Sequence, residues 1–203
     1  MINSGRLFVF EGADGSGKSA VSTAFAQFLR TQGLAAQLIP FPGKTPGTIG
    51  ELVYRIHHQS NACGVKQLTP TSLQALHIAA HLDAIESTIV PALSRGECIV
   101  LDRYWWSTWV YGCVEGVHED ILEALVTAEQ SAWGRWRPDC VFYITRRAPL
   151  RPESLERWQC VKAAYEGLLI SEQQKYPVEV LNNEGGFEQT VDKAISRALA
   201  LQP

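Results

Sequence analysis

Five short apolar runs along the chain predict buried β-strands. Each has four or five residues, is rich in β-branched or aromatic side chains and stands apart from the polar segments around it. Short runs of this kind are typical of strands that are covered on both faces. The runs are 6–10, 36–39, 98–101, 140–144 and 178–181.

Helical patterns fill the segments between these runs. They cover 19–29, about 48–59, 71–94, 119–131, 152–174 and 187–201. Strands that alternate with helices predict an α/β fold, in which a parallel five-stranded sheet is flanked by helices on both faces. No internal repeat or linker divides the chain, so residues 1–203 are expected to form a single domain.

Four of the predicted strands are followed by polar or glycine-rich segments, at 12–19, 41–44, 102–103 and 146–147. The carboxyl ends of parallel strands meet at one edge of a sheet, and ligands bind beyond that edge. We therefore expect these four segments to converge on one site.

The segment after the first strand is a complete GxxxxGK[ST] phosphate-binding loop, placed between a strand and a helix as P-loop NTPases require. Its backbone N–H groups and the helix N-terminus favour phosphate. Lys18 is expected to bridge the β- and γ-phosphates of a nucleoside triphosphate, and Ser19 to ligate Mg²⁺. The alternative, a chance glycine turn with a solvated lysine, does not explain the flanking strand and helix. The predicted nucleotide-binding residues are Gly12, Asp14, Gly15, Ser16, Gly17, Lys18 and Ser19.

The composition of the chain limits the kinds of partner that it is expected to bind. A net charge of −3 argues against a surface for nucleic acid, although it does not exclude a local basic groove. No apolar run is long enough to span a bilayer, and the first strand begins too near Met1 to leave room for a signal peptide. The five cysteines are scattered without a CxxC pair, which favours reduced thiols in a cytoplasmic protein over a metal site.

With these segments in place, the chain resembles the thymidylate kinase family of nucleoside monophosphate kinases over nearly its whole length. The loop alone is shared by many enzymes, but the loop together with Asp-Arg-Tyr-x-x-Ser is far more specific. The matching segments are Phe10–Ser19, Phe41–Lys44, Asp102–Tyr104 with Ser107 and Tyr111, Arg137–Asp139 and Glu156–Trp158.

The resemblance implies a catalytic role for Asp102, which would hold Mg²⁺ through water, and for Arg103, which would clamp the acceptor phosphate. A strand-end cap and a surface salt bridge are the plainer alternatives. Gly15 stands where some family members carry an arginine, so a lid arginine is expected to act instead. A short lid around 145–157 contains four candidates: Arg146, Arg147, Arg151 and Arg157.

The resemblance also implies the acceptor site. Asp14 would reach the sugar and phosphate of the acceptor, unless it only caps the following helix. Phe41 and Lys44 follow the second strand. Lys44 would replace the arginine that the family usually places on the acceptor phosphate; the alternative is a solvated loop lysine. Tyr111 would exclude a 2′-hydroxyl, unless it is ordinary core. Ser107 completes this set.

The base pocket departs from the family. His77 and His81 stand where the family has a stacking aromatic and an arginine that reads the pyrimidine edge. Their i, i+4 spacing places both on one helix face, so both are expected to point into the cleft and contact the base. The alternative is that they merely pack.

The implied function is ATP-dependent, Mg²⁺-assisted phosphorylation of a deoxypyrimidine nucleoside monophosphate, in the simplest case dTMP to dTDP. The family and the long apolar helix predicted at 71–94 indicate that the protein forms a homodimer. Its other expected partners are small-molecule nucleotides. One alternative acceptor is a modified deoxypyrimidine, such as a hydroxymethylated one, either free or within DNA. A non-catalytic nucleotide-binding relative is a further alternative, which the intact Lys18, Asp102 and Arg103 disfavour.

Overall fold

The five predicted strands form one parallel sheet in the computed structural model, which describes residues 5–201. Across the sheet the order is β2-β3-β1-β4-β5. Each strand extends one residue beyond its apolar run, because the next residue still pairs with the neighbouring strand. The strands are β1 (Arg6–Glu11), β2 (Ala36–Pro40), β3 (Cys98–Asp102), β4 (Cys140–Thr145) and β5 (Val178–Asn182). The predicted α/β fold is confirmed.

Within residues 5–201, eight α-helices connect and cover the strands. They are α1 (Lys18–Thr31), α2 (Ile49–His58), α3 (Pro70–Ala84), α4 (Val90–Ser94), α5 (Trp105–Val114), α6 (Glu119–Ala132), α7 (Leu155–Glu172) and α8 (Phe187–Ala200), with a 3₁₀ turn at Ser60–Cys63. The helical patterns in the sequence omitted α5. Its residues are buried on most sides, so its run of aromatic residues lacks the polar face that marks an amphipathic helix. Within residues 5–201 we find no helix with the length and apolarity needed to cross a membrane.

The helix expected over 71–94 is interrupted. It consists of α3, a π-helical turn at Ile85–Ile89 and α4. Pro91 lies in the first turn of α4 and has no N–H to donate to the preceding turn. A wider π turn relieves this loss of a hydrogen bond without ending the helical path.

Alternating strand residues build a core on each face of the sheet. In β1, Phe8 and Phe10 face α1 and α8, where they pack with Phe25 and Phe142. Leu7 and the other odd-numbered residues face the opposite side, which α3 to α7 cover. Because both faces of the central strands β1, β3 and β4 are buried, their charged residues lie only at the strand ends, and the carboxyl end is where the loops converge.

Candidate active site

The phosphate-binding loop has the backbone that its glycines predict. Gly12 has a φ of 144°, and a Cβ there would lie 2.3 Å from the carbonyl oxygen of Ile144. Gly17, with a φ of 95°, is the N-cap of α1. Both positions exclude other residues, and the loop leads its N–H groups directly into the positive end of the helix.

Asn183, which the sequence did not indicate, supports this loop. It directly follows β5 and is buried. Its Nδ2 donates to the Ser16 carbonyl oxygen at 2.9 Å, and its Oδ1 accepts from the Thr190 hydroxyl at 2.9 Å. A Cβ on Gly17 would lie only 2.4 Å from Asn183 Nδ2, so the close contact depends on that glycine. A lone asparagine after a strand carries no signal that would distinguish it from a turn residue.

Three charged side chains meet beside the loop. Lys18 is 4% exposed, and its Nζ lies 3.5 Å from Asp14 Oδ1. Arg103 Nη2 lies 2.5 Å from the same oxygen. Burial and the nearby Arg103 lower the pKa of Lys18 to about 8. Burial alone would raise the pKa of Asp14, but Arg103 and Lys18 hold it at about 2. The carboxylate is therefore charged and shared by the two cations.

Asp102 and Ser19 provide a donor set that fits a magnesium ion. Both line the central cavity. Asp102 Oδ1 is buried and has no hydrogen-bond partner among the described residues, which is a costly state for an oxygen that nothing uses. Mg²⁺ is typically held by one or two protein oxygens together with water and substrate phosphates, so two donors of this kind are sufficient.

Arg103 has an unusual backbone conformation, with a φ of 87°. Its N–H donates to the carbonyl oxygen of Phe10 at 3.0 Å, and its Nη1 donates to Ser107 Oγ at 3.0 Å. Burial opposes its charge, but Tyr111 and Asp14 raise its pKa above the ordinary arginine value. A residue with a side chain adopts positive φ only where its surroundings enforce it, and such sites cluster where function requires them.

Glu11 is the group that enforces this turn, and the sequence analysis did not identify it. The side chain is fully buried at the end of β1. Oε1 accepts the N–H groups of Tyr104 at 2.7 Å and Ser107 at 3.0 Å, and so caps α5. Oε2 lies 2.9 Å from the hydroxyls of both Ser107 and Tyr165. Burial raises the pKa of Glu11. One carboxylate thus joins the phosphate loop to the Asp-Arg turn.

Tyr111 faces the same carboxylate from α5. Its hydroxyl donates to Asp14 Oδ2 at 3.2 Å and accepts the Asp14 N–H at 3.1 Å. The Arg103 guanidinium lies 5.4 Å from its ring centre. Burial raises the pKa of Tyr111 to about 12, so the hydroxyl stays protonated. Tyr111 therefore contacts Asp14, the residue that is expected to reach the acceptor sugar.

A cavity of about 410 Å³ joins these groups to an aromatic end. Lys18, Asp102 and Arg103 lie at its charged end. The other end is formed by three aromatic side chains, an exposed lysine and a buried glutamine: Phe41, His77, His81, Lys44 and Gln74. Lys44 Nζ lies 4.1 Å from the centre of the Tyr54 ring, and the amide of Gln74 adds a polar group that the sequence did not indicate.

Both predicted base-pocket histidines line this cavity, each with a different partner. His77 Nε2 lies 3.3 Å from His57 Nδ1 on α2. Burial and the neighbouring His81 lower the pKa of His77 to about 3, so it is neutral. His81 is 3% exposed, stacks on Phe41 with ring centroids 4.0 Å apart, and has its Nδ1 2.6 Å from Glu129 Oε2.

The four candidate lid arginines separate into two pairs. Arg151 and Arg157 line the cavity, and Arg157 Nη2 lies 2.9 Å from Glu115 Oε1. Arg146 and Arg147 lie outside the cavity lining. The Arg146 guanidinium donates to the carbonyl oxygen of Asn183, which holds it toward β5. The structure thus does not bring the first two arginines of the lid to the charged end of the cavity.

The lid segment rests directly on the phosphate loop. The Leu150 N–H donates to the Gly15 carbonyl oxygen at 2.9 Å. Trp158 Nε1 donates to the Asp14 carbonyl oxygen at 2.8 Å. A Cβ on Gly15 would lie 3.0 Å from Pro149 Cβ, so an arginine at position 15 would displace the lid. The lid and a larger side chain at position 15 therefore compete for the same space.

Comparisons with known proteins point to one family. A family model described as thymidylate kinase matches residues 10–162. The thymidylate kinase of Pelodictyon phaeoclathratiforme is 29% identical over 182 residues, which cover 87% of this chain and 78% of that protein. The thymidylate kinase of Dinoroseobacter shibae is 35% identical over 144 residues, 71% of this chain and 66% of that protein.

A solved structure shares the fold. The crystal structure of thymidylate kinase from Ehrlichia chaffeensis superposes with a TM-score of 0.78, covers 96% of this chain and 99% of its own, and is 19% identical. At that identity the likeness establishes the architecture, while the matching sequence segments establish the kinship.

Proposed function

The chain belongs to the thymidylate kinase family, and from that premise we propose that it transfers the γ-phosphoryl group of ATP to a deoxypyrimidine nucleoside monophosphate, with dTMP as its main acceptor. The observation that carries this proposal is a single cavity that runs from a complete phosphate loop, past Asp14 and Arg103, to an aromatic pocket. A nucleotide acceptor needs a charged end and an aromatic end, and the cavity offers both.

ATP is the proposed donor, with Mg²⁺ as its companion. Lys18 would contact the β- and γ-phosphates, and Ser19 and Asp102 would hold the metal ion. When bound, Mg²⁺ neutralises charge on the phosphates. The unpartnered Oδ1 of Asp102 supports this assignment, because the oxygen is already in place and has no structural task among the described residues.

Catalysis in this proposal is positioning and charge neutralisation. The acceptor is already a phosphate anion, so no side chain has to remove a proton from it. Arg103 would clamp that anion, because its guanidinium is fixed by Asp14 and Ser107 and presents a planar fork. Arg151 and Arg157 are the proposed lid residues, since they line the cavity and Arg146 and Arg147 do not. Held in this way, the two reacting groups meet in line without water between them.

The sugar and base of the acceptor would occupy the rest of the cavity, beyond its charged end. Tyr111 would lie against the 2′ position and favour deoxyribose. His77, neutral because burial and His81 lower its pKa to about 3, offers a ring for stacking on a base. Phe41 and Lys44 complete the walls near the entrance.

Measurement of ADP release tests this function. The purified chain would be assayed with ATP, Mg²⁺ and each of dTMP, dUMP, dCMP, dGMP, dAMP and their ribose counterparts. We expect dTMP to give the highest kcat/KM and Lys18→Ala to lose on the order of a hundredfold or more in rate, because it removes charge from the transferring group. Equal release with no acceptor present, or near-normal turnover in Lys18→Ala, would contradict the proposal.

The remaining assignments are also proposals. We propose a homodimer, which sedimentation velocity at micromolar concentration tests, and a single domain whose lid spans about 145–157. The contacts of Leu150 and Trp158 with the phosphate loop support that lid. A cytoplasmic location stays a prediction, supported by five cysteines that are all free thiols.

A further inference from the structure

Gln74 is a buried polar side chain that faces the cavity. It lies on α3, is 3% exposed and lines the cavity together with His77 and His81. Spacings of three and four residues place these side chains along one face of the helix. Among residues 5–201 the Gln74 amide has no hydrogen-bond partner, and neither of its polar atoms is completely enclosed. The amide therefore opens into the cavity.

The two histidines on this helix face already contact other side chains. His81 Nδ1 lies 2.6 Å from Glu129 Oε2, and His77 Nε2 lies 3.3 Å from His57 Nδ1. What the remaining ring nitrogens offer to a ligand depends on the tautomer, whereas an amide always offers one acceptor oxygen and two donor hydrogens. Of the three side chains, Gln74 is the one whose whole hydrogen-bonding capacity is free.

A base that fills the cavity has to satisfy this amide. While the cavity is open, solvent can bond to it, but an entering base displaces that solvent. A buried amide without a partner costs free energy, so the amide favours a base whose edge bonds to it. Thr108, 3% exposed on α5, also lines the cavity without a side-chain hydrogen bond in the described part of the chain. Its hydroxyl carries one donor hydrogen, whereas the amide can bond to two adjacent atoms of a base.

We propose that Gln74 hydrogen-bonds the acceptor base at positions 3 and 4 of the pyrimidine ring, and that it binds 4-oxo and 4-amino pyrimidines equally well. Thymine presents N3–H and a 4-oxo group, while cytosine presents an unprotonated N3 and a 4-amino group. The two edges therefore differ by an exchange of donor and acceptor, and a half-turn of the amide makes the same exchange. No bond within residues 5–201 holds the amide in one orientation, so either orientation is available.

This inference rests on the proposed function, because it requires a pyrimidine in the cavity. It names the acceptor class that the Gln74 contact allows, which includes both dTMP and dCMP. A preference for dTMP over dCMP then has to arise from contacts other than the Gln74 amide.

Removal of the amide tests the contact. Calorimetric titrations without ATP would compare dTMP and dCMP in the unmutated chain and in Gln74→Met, whose side chain has a similar length but no amide. We expect both affinities to fall by roughly tenfold to a hundredfold, because each base is left with an edge that has no partner. The dTMP/dCMP affinity ratio should change by less than about threefold. A change of about tenfold or more in that ratio would show that the amide keeps one orientation, and would overturn the proposal.

A ligand that lacks the 4-substituent separates a direct contact from a structural effect. The deoxynucleotide of 2-pyrimidinone keeps the ring and N3 of cytosine but has a hydrogen in place of the 4-amino group. The unmutated chain should bind dCMP roughly three- to tenfold more tightly than this analogue, whereas Gln74→Met should bind the two with nearly equal affinity. If Gln74→Met weakens both ligands by the same factor, Gln74 has only a structural role and the proposed contact is wrong.

Gln27→Met is the control variant. Gln27 is an exposed glutamine on α1 and does not line the cavity, so its substitution should leave all three affinities unchanged. Nitrogen-15 NMR of the unmutated chain remains decisive if Gln74→Met does not fold. The side-chain amide resonances of Gln74 should shift on binding of dTMP and on binding of dCMP, and an unchanged amide in either complex would overturn the inference.

Failure of the proposed function is distinguishable, because these titrations require no turnover. A chain in which Gln74 contacts the bound base but which releases no ADP would refute the kinase proposal alone. Turnover of dTMP with an unchanged acceptor KM in Gln74→Met would refute the Gln74 contact alone.

Discussion

Substitution of Glu11 tests whether one buried carboxylate organises the catalytic turn. Glu11→Leu removes the acceptor for the Tyr104 N–H and one of the two acceptors for the Ser107 N–H, which also reaches the Tyr104 carbonyl oxygen. The Tyr165 hydroxyl keeps only Ser107. A buried polar group without a partner costs about 1–3 kcal/mol. Since one to two such groups are left without a partner, we expect the free energy of unfolding to fall by about 1–6 kcal/mol.

Glu11→Gln separates the hydrogen bonds from the charge. Its amide oxygen can keep both bonds to α5, and its NH₂ can donate to the hydroxyls of Ser107 and Tyr165. Only the long bond from the Gly12 N–H, 3.3 Å in the unmutated chain, faces a donor instead. We therefore expect a loss of no more than about 1 kcal/mol. Because burial raises the pKa of Glu11, its contribution is greatest at acid pH and falls as pH rises through that raised value.

Urea denaturation followed by tryptophan fluorescence measures the free energy of unfolding, and initial rates of ADP release measure the catalytic effect. Glu11→Leu should raise the acceptor KM and lower kcat far more than it changes the KM for ATP, because the strained φ of Arg103 loses its support while the phosphate loop keeps Asn183. The free energy of unfolding should be highest in the unmutated chain, lower in Glu11→Gln and lowest in Glu11→Leu. As pH rises, the stability of Glu11→Gln should improve relative to that of the unmutated chain. Equal stability of the Leu and Gln variants would refute the reasoning, since it would show that the two α5 bonds do not matter.

Three further predictions concern the phosphate loop and the sugar. The kcat/KM for ATP should fall above about pH 8, where Lys18 loses its proton. In Asp14→Asn the same decline should occur at lower pH, because the Asp14 charge raises the pKa of Lys18. A pH profile of kcat/KM that is flat to pH 9 or beyond would contradict this prediction. Asn183→Ala should lower the free energy of unfolding, measured by urea denaturation, by about 1–3 kcal/mol, since it leaves the Ser16 carbonyl oxygen unpaired. An unchanged midpoint of the urea transition would show that water replaces the Asn183 amide. Tyr111→Ala should narrow the preference for dTMP over its ribose counterpart, as compared by kcat/KM, whereas an unmutated chain that uses both equally would remove this role.

Much of the fold was predictable because the sheet is covered on both faces. Its central strands must be apolar almost throughout, so runs such as 98–101 and 140–144 stand out without any alternation to interpret. The same logic hid α5, since a helix buried on most sides loses the 3.6-residue period that reveals it. The π turn before Pro91 was equally hidden, because a proline one turn into a helical pattern fits several local solutions.

The residues of the candidate site also differ in whether the sequence could reveal them. Lys18, Asp102 and Arg103 were predictable because contiguous motifs fix their spacing. Glu11 and Asn183 were not, since each acts through contacts with residues more than ninety positions away that no local pattern encodes. Sequence reasoning also could not choose among the lid arginines, because their separation depends on where a short loop turns against the phosphate loop.

The charge arrangement explains why an acidic residue lies inside a loop that binds phosphate. Without Asp14, the buried Lys18 and Arg103 would face each other as two cations, and Arg103 already lowers the pKa of Lys18. Asp14 lies 3.5 Å from Lys18 Nζ and 2.5 Å from Arg103 Nη2, so it binds the arginine more closely. We expect arriving phosphates to draw Lys18 away first and to leave Arg103 fixed by Asp14 for the acceptor. The carboxylate thus weakens phosphate binding by repulsion but keeps both cations charged and apart, which lets one cavity hold two anionic nucleotides in order.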